Sequence, residues 1–119
     1  MSRQVPRILR LGEEVAAPGG TRFALLHVVS GERHHIGWFE LSDDDWRVGL
    51  TSAGAVADAG VPADRVRALT EALLGDLRAA IGADEAEVPP PVGPIVNRLR
   101  YVVDRRRAVE RLEDELREI

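Results

Sequence analysis

The stretch TRFALLHVVSGERHHIGWFEL, residues 21–41, contains the two best strand candidates of this chain. Residues 21–29 and 34–41 are rich in β-branched and aromatic side chains, which favour strands. Residues 30–33 between them have the length and the glycine of a hairpin loop. Apolar side chains fall at both odd and even positions of the first strand, so we expect both faces of the hairpin to be covered.

The segments that flank this hairpin are less regular. Residues 5–11 are a short extended candidate, and Pro18-Gly19-Gly20 predicts a turn. Ser42 followed by three aspartates is typical of a helix N-terminus, which favours a short helix through Val48. The alternative is a third strand over residues 46–51 that completes a meander.

Two further helices are predicted. Residues 62–81 carry an apolar stripe at spacings of three and four, formed by Val66, Leu69, Leu73, Leu77 and Ala80. Residues 87–94 contain four of the seven prolines and predict a stiff linker. We therefore expect an α+β core domain over residues 1–86, a linker over 87–94 and a long amphipathic helix over 95–119. The fold class is an antiparallel hairpin or three-stranded meander packed on helices, with that long C-terminal helix.

The last helix has an unusual charge distribution. Arginines crowd its first half and acidic residues crowd its second half. This order opposes the helix dipole, which favours acids at the start and bases at the end. Something outside the helix is therefore expected to match these charges.

Apolar residues recur every seven positions in this helix, and a second apolar line begins only in its second half. The helix either packs on its own domain, pairs with a second copy or binds another protein. We favour a homodimeric accessory or adaptor subunit without catalytic activity. The interface expected for it comprises Val109, Leu112, Leu116 and Ile119 with Arg105, Arg106 and Glu113.

Residues 55–67 resemble the helix-turn-helix of DNA-binding regulators. Gly60 stands where the turn glycine belongs, and Val66 follows it by six residues, as a contact between the two helices would. The resemblance covers about 15 residues and departs at Val56, where a small alanine is usual. It implies that Arg65 and Arg67 contact DNA. A transcriptional regulator is thus the second interpretation, although a net charge of −4 argues against general nucleic-acid binding.

Histidines on the hairpin suggest a third interpretation, a metal- or small-ligand-binding protein. A two-residue turn at Gly31 would place His27 opposite His34, within reach of one metal ion. A third ligand would have to be Glu32 or Glu40. Since ordinary polar strand histidines explain the same residues, no metal, cofactor or catalytic group is predicted.

Composition limits the remaining classes. With 119 residues and 45% apolar side chains, the chain can form one ordinary core. Without cysteine, disulfides and thiol chemistry are excluded. No apolar run approaches the roughly 20 residues that span a bilayer, and the first residues lack an apolar signal core. The expected location is the cytoplasm.

Overall fold

A computed structural model describes residues 7–31, 33–42, 47–83 and 105–119. In these ranges the chain forms one antiparallel sheet of four strands in the order β1-β2-β3-β4, together with three helices. The elements are β1 (Arg7–Ala16), β2 (Arg22–Ser30), β3 (Arg33–Leu41), β4 (Val48–Leu50), α1 (Ala53–Asp58), α2 (Ala63–Ala83) and α3 (Arg105–Arg117). The predicted α+β class is confirmed.

The β2–β3 hairpin forms as predicted. Ser30 pairs with Arg33, and the residue that follows Ser30, Gly31, has a φ of 62°, which glycine adopts without steric cost. β2 is buried at seven consecutive positions, residues 23–29. Since successive side chains of a strand point to opposite faces, the sheet is covered on both faces at β2.

The less regular segments on either side of the hairpin form the outer strands of the sheet, β1 and β4. β1 extends to Ala16, beyond the predicted Leu11, and its pairing shifts register between Arg10 and Glu14. β4 pairs residues 48–50 with residues 39–41 of β3, so the predicted third strand is present. The alternative helix through Val48 is wrong at Val48, and residues 43–46 lie outside the described ranges. The Ser42 N–H donates to Arg47 O at 3.1 Å, which closes the connection between adjacent strands.

The first core lies between the sheet and the helices. The predicted stripe of α2 faces it, with Val66, Leu73, Leu77 and Ala80 buried and Leu69 partly buried. At its centre the Trp38 indole Nε1 donates to Thr70 Oγ1 at 2.9 Å, and the Thr70 hydroxyl donates to Val66 O at 2.7 Å. Trp38 and Thr70 of this layer are therefore paired with each other, whereas the buried Nδ1 of His27, on the same face of the sheet, has no hydrogen-bond partner among the described groups.

The opposite face of the sheet carries a second buried cluster, composed of Ala24, Leu26, Val28, Phe39 and Leu41. Ile8 and Val48 pack against it. Cross-strand rows connect the cluster, because Ala24 pairs with Phe39 and Phe39 pairs with Leu50 of β4. The apolar row of this face thus continues to the outer strand.

The long C-terminal helix is not confirmed. The described helix α3 has 13 residues, and residues 95–104 and the predicted linker lie outside the described ranges. Ala108, Val109 and Leu112 of α3 belong to the first core. The C-terminal segment therefore packs on the α+β layers, with its apolar side against α2 and the sheet.

The corner between α1 and α2 is a tight packing point. Gly60 has a φ of 111°, and an ideal Cβ there would lie 2.7 Å from Pro18 Cδ in the β1–β2 turn. Both the backbone conformation and the contact exclude a side chain.

We predict that Gly60→Ala lowers the free energy of unfolding by about 1–3 kcal/mol, because it strains the left-handed backbone and clashes with Pro18. Gly75→Ala is the matched control, since Gly75 lies in α2 with open space around it. The control should gain about 0.5–1 kcal/mol from the better helix propensity of alanine. Chemical denaturation of the two variants measures both signs, and equal effects would contradict the role of Gly60.

Candidate functional site

The residues predicted to join two copies through α3 lie against the core of their own chain. Leu112 is fully buried and Val109 is 9% exposed, and Leu116 and Ile119 pack on the same cluster. Glu113 pairs with Arg78 of α2 at 3.1 Å. Arg105 and Arg106 also have interactions within the chain. Association through these residues stays a prediction, but their apolar surface already serves the fold.

The reversed charges of the last helix face helix ends inside the chain. Arg67 donates to Ile119 O at 2.7 Å and Arg78 donates to Glu113 at 3.1 Å, so α2 and α3 run in opposite directions. The arginines at the start of α3 therefore lie toward the C-terminal end of α2. That end carries a partial negative charge, which favours cations.

One acid in the second half of α3, Glu115, contacts the N-terminus of α1. Glu115 Oε1 accepts from the N–H of Ala53 at 2.8 Å, while Ser52 Oγ accepts from Ala55 N at 3.2 Å. Both contacts satisfy backbone donors that the first turn of a helix leaves unpaired. On the same turn of α3, Arg111 donates to Ile36 O of β3 and lies 3.7 Å from Glu115. We call these contacts of Glu115 and Arg111 the α3 clasp.

Burial raises the pKa of Glu115, and the hydrogen bond from Ala53 and the charge of Arg111 lower it in part. A perturbed carboxyl in a cleft is a candidate catalytic acid. Here its Oε1 is occupied by a backbone N–H of the same chain. The arrangement favours a structural role for Glu115.

The two arginines implied by the helix-turn-helix resemblance are bound to other parts of the chain. Arg65 forms a 2.7 Å ion pair with Glu13 of β1, and Arg67 holds Ile119 O. α1 has only six residues, and Gly60 does form the turn between α1 and α2. Each arginine has one such contact, so its guanidinium would have to turn away from it or use its remaining donors to reach a phosphate or a base.

The structure brings His27 and His34 together, although in a different register from the one expected. Ser30 pairs with Arg33, so His34 lies opposite Val29 and His27 lies opposite Ile36. The two histidines are diagonal neighbours on the face of the first core. His27 Nε2 and His34 Nδ1 are 2.8 Å apart, a hydrogen bond between two imidazoles.

The environment of this pair opposes a cation. His27 is 5% exposed, and burial, then the charge of His34, then that of Arg7 lower its pKa to about 4. Two nitrogens on one tetrahedral zinc ion would lie about 3.3 Å apart, farther than the 2.8 Å seen here. Among the described residues no three metal-ligating side chains cluster. Glu40 pairs with Phe23 toward the far end of β3, and Glu32 lies outside the described residues.

The outer edge of β4 is a site that sequence reasoning missed. Leu50 is 61% exposed and is the one large apolar side chain so exposed in the described parts of the chain. It lies beside Phe39 at the end of the second-face row. A cleft of about 260 Å³ adjoins it, lined by Glu40, Leu41, Ser42, Arg47, Val48 and Gly49. The only signal in the sequence was the uncharged triplet Val48-Gly49-Leu50.

The two edges of the sheet differ in how they are protected. β1 has a register shift and carries a ladder of charges, with Arg10 and Arg22 bound to Glu14 and Arg65 bound to Glu13. Charges and irregular pairing discourage the addition of another strand. β4 has neither feature, although its length of three residues itself limits pairing. The two edges therefore differ in charge and in the regularity of their pairing.

We predict that the protein loses stability as the pH falls from 6.5 toward 4. Below 6.5 the unfolded chain binds a proton at His27, whereas the folded chain does not until about pH 4. The loss at pH 4.5 should be about 2 kcal/mol. His27→Gln should remove most of this dependence, while His35→Gln, at an exposed position, should keep it. Denaturation at pH 7 and pH 4.5 tests this, and a similar acid loss in all three proteins would contradict it.

We predict a different order for variants at Glu115. A carboxyl with a raised folded-state pKa contributes stability at low pH that is lost as the pH rises through that pKa. Glu115→Gln keeps the acceptor for Ala53 without the buried charge, so at pH 7 it should be at least as stable as the wild type. Glu115→Ala should cost about 1–3 kcal/mol because the Ala53 N–H loses its partner. Thermal unfolding measures the order. Glu110→Gln is the control, because Glu110 is exposed on the same helix. Equal losses for Glu115→Gln and Glu115→Ala would contradict the proposed role of Glu115 in the α3 clasp.

Comparison of the chain with protein-family models, with curated proteins and with solved structures finds no match. Across the described ranges, the helices are too short or too polar to cross a membrane. The guides to function are therefore the contacts and the exposed surfaces of this chain itself.

Proposed function

We propose that this protein is a small interaction module, an accessory or adaptor subunit without catalytic activity, that associates with another polypeptide through the outer edge of β4. The observation that carries the proposal is the 61% exposure of Leu50 on a strand edge without protecting charges. Large apolar groups at a regular, unpaired backbone edge are typical of surfaces that receive a further strand.

The apolar contact and the hydrogen bonds available at this edge are of the size that contributes to the binding of a partner. Covering the exposed part of one leucine contributes about 1–2 kcal/mol. The backbone groups on the outer side of β4 add hydrogen bonds of about 0.5–1.5 kcal/mol each when an incoming strand pairs with them. The adjoining cleft offers both aliphatic and charged lining, from Leu41 and Val48 and from Glu40 and Arg47.

The perturbed groups elsewhere support a role other than catalysis. Glu115 accepts a hydrogen bond from the first turn of α1. His27 and His34 are hydrogen-bonded to each other on the face of the sheet that carries the first core. Each is held by contacts within the chain, away from the cleft beside β4. The one large apolar side chain that remains exposed in the described residues is Leu50.

We predict that Leu50→Asp releases the partner, because it places a charge where apolar contact and strand pairing are needed. The tagged chain is purified gently from its native cells and its mass is measured by light scattering. The wild type should elute with more mass than one chain, and Leu50→Asp should elute as a single chain.

The matched control is Ala68→Asp, which adds the same charge at an exposed position of α2. It should retain the partner. The proposal fails if the wild type elutes as a single chain, or if both variants lose the added mass equally.

A further inference from the structure

The β4 edge is apolar on one face of the sheet and leaves open space beside a carboxylate on the other. We propose that the partner contributes an extended segment in which a lysine or arginine stands between two apolar residues, and that this basic side chain crosses Gly49 to reach Glu40. This inference rests on the proposed function and names the chemistry of the partner at the same edge.

The backbone of β4 offers hydrogen bonds to a neighbouring strand at Val48 and Leu50. In an antiparallel pair, residue pairs that exchange hydrogen bonds alternate with pairs that do not. The Thr51 N–H donates to Trp38 O of β3 at 3.0 Å, so two residues earlier the backbone groups of Gly49 also point toward β3. The backbone groups of Val48 and Leu50 therefore point outward, where an incoming antiparallel strand pairs with them.

On the face that carries the second buried cluster, the edge ends in apolar side chains. Leu50 pairs with Phe39 and Val48 pairs with Leu41, and both partners belong to that cluster. Residues opposite each other in an antiparallel pair share a face, so apolar residues opposite Leu50 and Val48 extend this apolar surface. These contacts set two positions of the incoming segment, with one residue between them.

The residue between them lies opposite Gly49, on the face that carries the first core. An ideal Cβ at Gly49 would have no atom within 4 Å, and Gly49 pairs with Glu40 of β3. Glu40 is exposed, and its carboxylate forms no ion pair or hydrogen bond among the described residues. The glycine therefore leaves an open path from the outer side of β4 to the Glu40 carboxylate.

The spacing of strands decides which side chains can use this path. Neighbouring strands lie about 4.8 Å apart, so the incoming strand lies about 10 Å from β3. Lysine and arginine have side chains long enough to cross the intervening glycine and donate to Glu40. Their hydrogen bonds to a carboxylate are charge-assisted, and the net charge of −4 attracts a basic segment at longer range.

The other charges at the two edges do not offer the same contact. Arg47 lines the cleft beside Glu40, but it already has an interaction within the chain. It also stands two residues from Gly49, so it lies opposite a different residue of the incoming strand. At the β1 edge, Glu14 is bound to Arg10 of the same strand. The contrast favours a basic residue opposite Gly49.

Two synthetic peptides with blocked termini that differ only in the central charge, TTVKVTT and TTVEVTT, test the proposal. Each is titrated to millimolar concentration into the isotopically labelled full chain, and the backbone amide signals of Val48 and Leu50 in NMR spectra report binding. The lysine peptide should bind about threefold to tenfold more tightly than the glutamate peptide, because an attractive cross-strand pair replaces a repulsive one.

Charge variants of the chain test the contact itself. Glu40→Lys should reverse the preference, and Glu40→Gln, which keeps the shape of the side chain, should bring the two affinities within about twofold of each other. Glu71→Lys is the matched control, because it makes the same charge change at an exposed position of α2 and should keep the wild-type preference. The amide spectrum of each variant confirms that it is folded.

Equal affinities in the wild type, binding of neither peptide, or an unchanged preference in Glu40→Lys overturn the proposed segment. A purified chain with the mass of two copies that Leu50→Asp separates also overturns it, because the occupant is then a second copy. In each case the proposed function stands if Leu50→Asp releases added mass from the chain purified from its native cells. If the wild type from those cells elutes as a single chain, both proposals fail.

Discussion

The burial of β2 on both faces is the constraint from which the rest of the structure follows. Seven consecutive residues of this strand are buried, so each face needs a layer of its own. On one face the helices provide that layer, with Trp38 and Thr70 hydrogen-bonded at its centre. On the other face an apolar cluster spreads across the strands and reaches β4. The outer strands β1 and β4 complete the sheet, because they flank the β2–β3 hairpin on either side.

The position of α3 explains a charge pattern that looks unfavourable in isolation. Its arginines would be destabilised by the positive end of their own helix, but they lie toward the negative end of the antiparallel α2. Its Glu115 reaches the positive end of α1, and Arg111 reaches a backbone carbonyl of β3. One turn of α3 therefore contacts two elements that are distant from each other in sequence, α1 and β3. The order of charges in α3 therefore suits its neighbours although it opposes its own dipole.

Local patterns predicted the parts of this fold that local energetics decide. The strands β2 and β3, the stripe of α2 and the coverage of both hairpin faces were correct because side-chain periodicity and turn residues specify them directly. The reversed charges of α3 led to the expectation of a match outside the helix, and Glu113 and Glu115 contact Arg78 and Ala53 of the same chain. The sequence alone could not show that this match lies within the chain, because opposite charges look the same whether the partner is α2, α1 or a second molecule.

Two further differences have the same origin in long-range geometry. His27 and His34 were correctly placed on one face, but their diagonal contact depends on pairing set at the tip of the hairpin, where one residue changes every partner. No sequence pattern distinguishes Leu50, because a single leucine is ordinary in any sequence. Its exposure arises only because β4 stops after three residues at the rim of the sheet.

The contrast between the two sheet edges is the reason why the exposure of Leu50 supports the proposed interaction. An edge strand that only had to stay soluble would be expected to carry the devices seen on β1, where ion pairs and a register shift block further pairing. β4 instead ends an apolar row with the exposed Leu50, and its Gly49 has open space where a Cβ would stand. Among the described residues, ion pairs and a register shift close the sheet at β1, whereas the one large exposed apolar side chain, Leu50, lies at β4. The proposed interaction through the β4 edge rests on this difference in charge and exposure.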